Sequence, residues 1–258
     1  HEADLKYSSF KNSLIMTSDF SSVPNSTVTM SQVDFSGSFI ANSSFNYRKD
    51  RSGNGFDFKM SHISGNSQFQ STDLSDSQFQ NAYIGADVEF TNANLTSVNL
   101  SNAEVLADLS DLSMYECICN HTDFKKAILD GANLRKCQIN YATFEGVSAE
   151  NTNFNETIGT YVTFKRSTQI TPSLRGAQFQ DANLTGAQFK LEGESFDNDG
   201  NGQLDGFDLT NTNFNRAILL GARFGEVSGA NPTFSQSNFS YADLSQSHFE
   251  SISLTNVC

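Results

Sequence analysis

The sequence predicts an all-β solenoid, a parallel β-helix with four sides to each coil. Three observations carry this. Across Gly176–Phe189 a small residue is followed two places later by a large apolar one, and the pair recurs every five residues: Ala177 and Phe179, Ala182 and Leu184, Ala187 and Phe189. That spacing matches neither the 3.6-residue period of a helix nor the alternation of a plain strand. It fits a chain that turns a corner every five residues, so that four sides close a coil of about twenty residues and coils stack at the ~4.8 Å spacing of paired strands. Second, the frame persists: every fifth residue from Leu109 to Leu254 reads as an inward centre, usually with Ala, Ser, Thr, Val or Cys two places before it. Third, 23 Phe and no Trp suit a ladder in which one ring shape stacks on itself.

In chain order, Leu5, Phe10, Ile15, Phe20, Met30, Phe35, Ile40 and Phe45 share one register. Ile63 belongs to a second, Phe69 to Ile84 to a third and Phe90 to Val105 to a fourth, and each slip is expected to be a bulge at a corner. Gly159 and Gly229 fall at centres, where a side of the coil must be thin. Phe124, Phe144, Phe164, Leu184, Phe224 and Leu244 differ by multiples of twenty and are expected to line one face. Two segments interrupt the frame. The stretch near 46–57, centred on the polar, glycine-bearing Asn46–Gly55, reads as a surface loop. Between 190 and 208 the frame would turn Glu192, Glu194 and Asp199 inward, and unpaired carboxylates are too costly to bury. The chain must therefore leave the coil after Phe189 and return at Leu209. The 258 residues then form one elongated unit of about twelve coils, roughly 55–60 Å long at that strand spacing.

Ala93-Asn-Leu-Thr96, Ala132-Asn-Leu134, Ala182-Asn-Leu-Thr185 and Ala242-Asp-Leu-Ser245 bring out a motif of the form A-[DN]-[LF]-[ST]-x. The chain resembles the pentapeptide-repeat family from Ala3-Asp-Leu5 to Leu254. The resemblance implies a right-handed quadrilateral β-helix and no single function, since the family hosts several.

Net charge is −13 but banded. Ser61–Thr122 carries eight acids and no Lys or Arg, and Glu192–Asp208 six acids and no base. Between them, Lys125, Lys126, Arg135, Lys136, Lys165, Arg166 and Arg175 outnumber the acids of Asp123–Arg175. No apolar run approaches the roughly 20 residues of a membrane span, so neither membrane insertion nor a nucleic-acid partner is expected. No signal peptide is visible, and a start at His1 reads as processing or trimming.

The second interruption reads Asp197-Asn-Asp-Gly-Asn-Gly-Gln-Leu-Asp-Gly-Phe-Asp208 and resembles an EF-hand-type calcium loop. By that resemblance Asp197, Asp199 and Asn201 donate side-chain oxygens, Gly202 takes the sharp turn, Gln203 offers its carbonyl, Asp205 acts directly or through water, and Asp208 closes the site. The loop departs from the pattern in ending on Asp rather than Glu and in lacking flanking helices. Calcium is the expected cofactor, because the acids crowded here would otherwise repel one another. Asp50-x-Ser52-x-Asn54-Gly55 is a fainter echo with few acids.

Cys117 and Cys137 occupy the small inward position one twenty-residue coil apart, close enough for a disulfide or for a stacked pair of thiols. Cys119 occupies a centre and reads as core, and Cys258 ends the chain. Cys117-x-Cys119-x-His121 makes a poor metal motif because the cysteines point inward and the histidine outward. The four histidines are scattered, and no nucleophile–base set converges in the frame, so no enzyme is expected. Sequons at Asn94, Asn99, Asn183 and Asn238 follow from the repeat itself, which leaves Asn25, Asn42, Asn120 and Asn155 as glycan candidates in an exported chain. A cysteine pair and a calcium loop favour an extracellular, periplasmic or lumenal protein.

The leading expectation is a non-catalytic scaffold or protein-interaction rod. Its terminal coils lack a visible cap, so copies could stack head to tail into filaments, with Cys258 at the joint. The alternative is an acidic DNA mimic that binds and inhibits a type II topoisomerase. Such a mimic needs a continuous negative track, which the basic stretch from Lys125 to Arg175 would interrupt.

Overall fold

The computed structural model describes residues 5, 7–20, 33–36, 38–41, 43–45, 56–165, 173–190, 208–225 and 234–250. They form an all-β parallel solenoid in which each coil has four sides. Face one stacks Asp19, Ser44, Gln68, Glu89, Asp108, Ile128, Ser148, Ser173 and Asp208 in a parallel ladder. Face two runs from Asp73 through Asn94, Ser113, Asn133, Asn153, Gln178 and Asn213 to Asn238, and face three from Ser9 through Asn99, Ile118 and Asn183 to Asp243.

Face four holds the longest strands. β1 (Leu14–Met16), β2 (Phe39–Ala41), β3 (His62–Ser64), β4 (Tyr83–Ile84) and β5 (Glu104–Val105) form one sheet in that order. β6 (Thr143–Glu145), β7 (Thr163–Lys165), β8 (Gln188–Lys190), β9 (Arg223–Gly225) and β10 (His248–Glu250) form a second. Asp123 bridges Glu104 and Thr143 and joins the two sheets. The ladder therefore has rungs at 14, 39, 62, 83, 104, 123, 143, 163, 188, 223 and 248, eleven among the described residues and slightly fewer than the expected twelve.

Each position of the repeat has a physical task. The residue before the centre points outward, and when it is Asp or Asn its side chain accepts from the backbone N–H two residues on, as Asp73 does from Ser75, Asn133 from Arg135 and Asn213 from Asn215. This satisfies an amide that faces away from the neighbouring coil. The second residue after the centre turns the corner with a left-handed backbone: Asp76 has φ 59°, Asn151 φ 55° and Gly176 φ 70°. The carbonyl of the centre accepts from the N–H three residues later, as in Ser77 to Leu74 at 3.1 Å, so the corner has the pattern of a type II turn. Asn, Asp and Gly recur at this position because they tolerate positive φ best.

The inward residues stack on their equivalents. On face four the rings of Phe124, Phe144, Phe164, Phe189, Phe224 and Phe249 lie 4.7–5.1 Å apart and within 13° of parallel. Rings on adjacent faces meet edge to face, as Phe144 does with Phe154 at 88°. Where the small inward residue is Thr or Ser its hydroxyl donates to a backbone carbonyl, Thr122 to Leu100 and Thr152 to Leu129, both at 2.6 Å. Gly159 is the thin side expected of it: an added Cβ would come within 2.9 Å of Ile139 and 3.1 Å of Leu184, which close over it from the coils on either side.

The structure corrects the expectation of a fixed twenty-residue coil. Phe164 stacks on Phe189, 25 residues on, Phe189 on Phe224, 35 residues on, and Phe224 on Phe249, 25 residues on. Leu184 and Leu244 consequently leave the predicted face and belong to face three, in line with Ile139, Gly159 and Leu219. The slip between Phe45 and Phe58 falls between faces one and three, and the later ones fall at one corner. Between faces four and one the step from centre to centre is six residues from Ile63 to Phe69 and from Ile84 to Phe90, and four from Val105 to Leu109. The segments 166–172, 191–207 and 226–233 fall between the same two faces in sequence order and lie outside the described residues. The first interruption is shorter than expected at its far end: Phe56 is buried and Asp57 pairs with Asp34 and Gln78, so both belong to the coil. At the second, Lys190 still pairs with Lys165, and Asp208 already pairs with Ser173.

Phe144 is fully buried with Phe124 above it and Phe164 below. Phe144→Ala is expected to cost about 3–5 kcal/mol through the cavity it leaves, read as a lowered midpoint in urea unfolding.

Candidate functional site: an acidic face

Folding sorts the charged residues differently from their order in sequence. Face one and its two flanking corners collect Asp87, Glu89, Asp108, Asp111, Asp130, Glu150 and Asp208, contributed by five of the six coils from Glu89 to Asp208. Several are held in fixed orientations. Asp108 accepts from the Ser110 N–H at 2.9 Å, and Asp130 from the Ser148 hydroxyl at 2.8 Å and the Glu150 N–H at 2.7 Å. Glu150 in turn accepts from the Ser173 hydroxyl at 2.8 Å. A cavity of about 500 Å³ opens on this face where the coil shortens by a residue, and Asp87, Glu89, Asp108 and Asp111 are among its lining residues.

The basic stretch from Lys125 to Arg175 does not form a belt across this track. Lys125 and Lys165 lie on face four and clamp Glu145 at 3.0 and 3.3 Å. Arg135 pairs with Glu156 at 2.5 Å, while Lys136 sits 5.4 Å from the Tyr115 ring centre and 3.8 Å from Glu116. Lys126 stands at the corner between faces four and one, and Arg175, on face one, pairs with Asp208 at 3.2 Å. Arg166 lies outside the described residues.

Of the expected calcium ligands, Asp197, Asp199, Asn201, Gln203 and Asp205 lie outside the described residues, as does the fainter Asp50–Gly55 motif. Asp208 points outward beside the fully buried Leu209, as its frame position requires; its carboxylate accepts from Arg175 and from the Thr210 N–H at 2.9 Å. Among the described residues no group of three or more His, Cys, Asp or Glu is arranged to hold a metal ion. Also among them, no helix is long and apolar enough to cross a membrane.

Cys117 and Cys137 form a disulfide between successive coils, with Cα atoms 4.6 Å apart. Cys119 is a fully buried thiol, and burial pushes its pKa far up. His121 stands at a corner and stacks on Tyr141 at 5.0 Å, away from both cysteines' inward side. Asn25 and Asn42 lie outside the described residues. Asn120 accepts from the Asn140 backbone at 3.0 Å and Asn155 from the Gln180 N–H at 2.7 Å. The threonines of their sequons, Thr122 and Thr157, are buried and donate to Leu100 and Phe154 carbonyls.

Comparison with known proteins places the repeat. The pentapeptide-repeat family model matches residues 107–140 and 117–155. These coils are pentapeptide repeats. The other described coils continue the same four-sided stack in both directions. Solved structures similar to it include HetL, a pentapeptide repeat protein involved in heterocyst differentiation regulation from the cyanobacterium Nostoc sp. strain PCC 7120, at 14% identity over 98% of this chain and 93% of that one, with a TM-score of 0.27. A trypsin-treated variant of QnrB1, a plasmid-mediated fluoroquinolone resistance protein, matches at 16% identity over 71% and 86%, with a TM-score of 0.35. A pentapeptide repeat protein from the Arabidopsis thaliana thylakoid lumen matches at 23% over 58% and 69%, with a TM-score of 0.31. No curated protein sequence matches the chain.

Partial burial alone would raise the Glu145 carboxyl, but hydrogen bonds from Lys125 and Lys165 outweigh it and hold the pKa below its ordinary 4.5. A carboxylate depressed in this way adds stability above the unfolded value and loses it as pH falls through the folded one. An NMR acid titration is expected to find Glu145 titrating below 4.5, and to find it moved upward in a Lys125→Ala/Lys165→Ala variant.

Proposed function

We propose that this chain is a non-catalytic interaction rod that works outside the cytoplasm and presents face one to a basic protein partner. The observation that carries this reading is the acidic face: seven carboxylates drawn from five coils, several of them hydrogen-bonded in place on a rigid ladder. A surface whose charges are already ordered binds with little further loss of side-chain freedom, and its field favours encounter with a cationic surface. The disulfide supports an oxidising compartment. The half-buried Phe10, Phe239 and Phe249 of the first and last described coils support end-to-end stacking.

Calcium held by Asp197, Asp199, Asn201, Gln203, Asp205 and Asp208 would tie down the 190–208 segment beside the same face, because Asp208 belongs to the face-one ladder. Calorimetry in chelator-treated buffer is expected to give heat on calcium addition, abolished in Asp197→Ala/Asp199→Ala, with the β-sheet circular dichroism of the coils unchanged in both. Absence of heat in the unaltered protein would remove calcium from the proposal.

A second reading, the DNA mimic, is favoured by the same face, because most of the basic stretch is dispersed around the rod and, of its described residues, Lys126 and Arg175 alone fall on the acidic track. Two assays separate the readings. In cross-linked capture from the source organism's extract, the protein should recover basic proteins that an Asp108→Lys/Asp130→Lys/Glu150→Lys variant of equal sheet content does not. Equal recovery by both would contradict the role of face one. In a supercoiling assay the interaction rod leaves a type II topoisomerase unaffected, whereas inhibition lost in the same variant would decide for the mimic.

A further inference from the structure

Three sulfur atoms meet in the core of the central coils. Cys117 and Cys137 are bonded across neighbouring rungs, and the thiol of Cys119 lies 3.2 Å from Cys117 Sγ, inside van der Waals contact for two sulfurs. All three residues are fully buried. The surroundings of Cys137 suit a departing sulfur. The backbone N–H of Cys117 points at Cys137 Sγ from 3.1 Å, and the Met114 carbonyl oxygen stands 2.8 Å from the same atom. An N–H donor at that place stabilises a thiolate, and a carbonyl acceptor receives the proton of a thiol.

We propose that Cys119 is the built-in exchange partner of the Cys117–Cys137 disulfide, giving the rod two covalent isomers that differ in whether neighbouring coils are tied together. In the exchange the Cys119 thiol loses its proton and its sulfur attacks Cys117 Sγ. A Cys117–Cys119 bond forms and the Cys117–Cys137 bond breaks. Cys137 leaves with the electron pair, supported by the Cys117 N–H, and takes up a proton to become a thiol facing the Met114 carbonyl. One disulfide and one thiol stand on each side, so no external oxidant or reductant is required. The first isomer joins two coils; the second closes a small ring within a single coil and releases the next.

The closed solenoid locks the first isomer. Only the thiolate attacks a disulfide, and full burial holds the Cys119 thiol protonated. Loosening of the coils around Cys117–Cys137 admits water, restores an ordinary thiol pKa and permits exchange. The rod would then carry a covalent record of having been opened.

Trypsin makes the isomers distinguishable. Cys117 and Cys119 share the peptide 60–125, while Cys137 lies in 137–165. The full chain carrying Cys258→Ser, so that no fourth cysteine takes part, is held without reductant at about pH 8.5, near the ordinary thiol pKa, with and without urea below the unfolding midpoint. It is then quenched in acid, alkylated and digested for mass spectrometry. The undisturbed protein is expected to yield the 60–125/137–165 pair, and fragmentation at Ile118 should place the link on Cys117. After opening, that pair should be lost in favour of peptide 60–125 with an internal disulfide and an alkylated Cys137. A further Cys119→Ala change should keep the pair in both conditions. Persistence of the Cys117–Cys137 link after opening would overturn the proposal. So would a Cys119–Cys137 link, or loss of the pair in the Cys119→Ala protein.

Discussion

A chain that turns a corner every five residues cannot bury its own inward side chains; each coil is a thin square with its apolar residues exposed above and below. Burial comes from the next coil, when each inward residue settles on its equivalent one rung away and the backbone amides and carbonyls of the two coils pair. Phe144 shows the arrangement, with Phe124 and Phe164 stacked on its two faces at 5.0 and 4.7 Å and Phe154 against its edge. The rest follows from that stacking: a small residue where the core narrows, a left-handed residue where the chain turns, and a side-chain acceptor for the amide that faces away from the neighbouring coil.

The same constraint shapes the outer surface. Because equivalent positions recur at the rung spacing, outward side chains form ladders whether or not function uses them. Glu145 between Lys125 and Lys165, and Asp181 paired bidentately with Arg216 at 2.6 and 2.7 Å, show ladders in which charges alternate. Exposed pairs of this kind each add little stability. Face one is different, since like charges accumulate there, and Asp108, Asp130 and Glu150 are held by serine hydroxyls and backbone amides. One of the places at which coil length varies, the corner between faces four and one, borders this face. Chain length can change there without disturbing the stacked core on either side, which leaves that edge of the acidic face open to variation in shape.

Most of the fold was legible in the sequence because the five-residue period belongs to the backbone geometry itself. The inward role of Phe124, Cys117, Ala132 and Leu184 could be read from spacing alone. Which coil each residue meets could not. The long steps from Phe164 to Phe189, from Phe189 to Phe224 and from Phe224 to Phe249 add five, fifteen and five residues to a twenty-residue coil. All three additions are multiples of the period, so the frame continues unbroken while the faces shift beneath it; this is why spacing alone assigns Leu184 and Leu244 to the wrong face. The left-handed corner was visible in the recurrence of Asn, Asp and Gly at Asn92, Asp111, Gly131 and Asn151. That signal can be read only once the corner is known to be a type II turn. The acidic face was hidden for a different reason. Its members come from coils twenty or more residues apart, and a basic stretch in sequence separates carboxylates that adjoin in space.

The fold depends on stacking between specific rungs, and a double-mutant cycle on Phe164 and Phe189 tests it most directly. Each is replaced by Leu singly and together, and urea unfolding gives the coupling between them. Rings stacked face to face across one rung, 5.1 Å apart and 7° from parallel, should show a coupling of about 0.5–1.5 kcal/mol. Strict additivity of the two substitutions would contradict the stack, and with it the placement of every coil beyond Lys165.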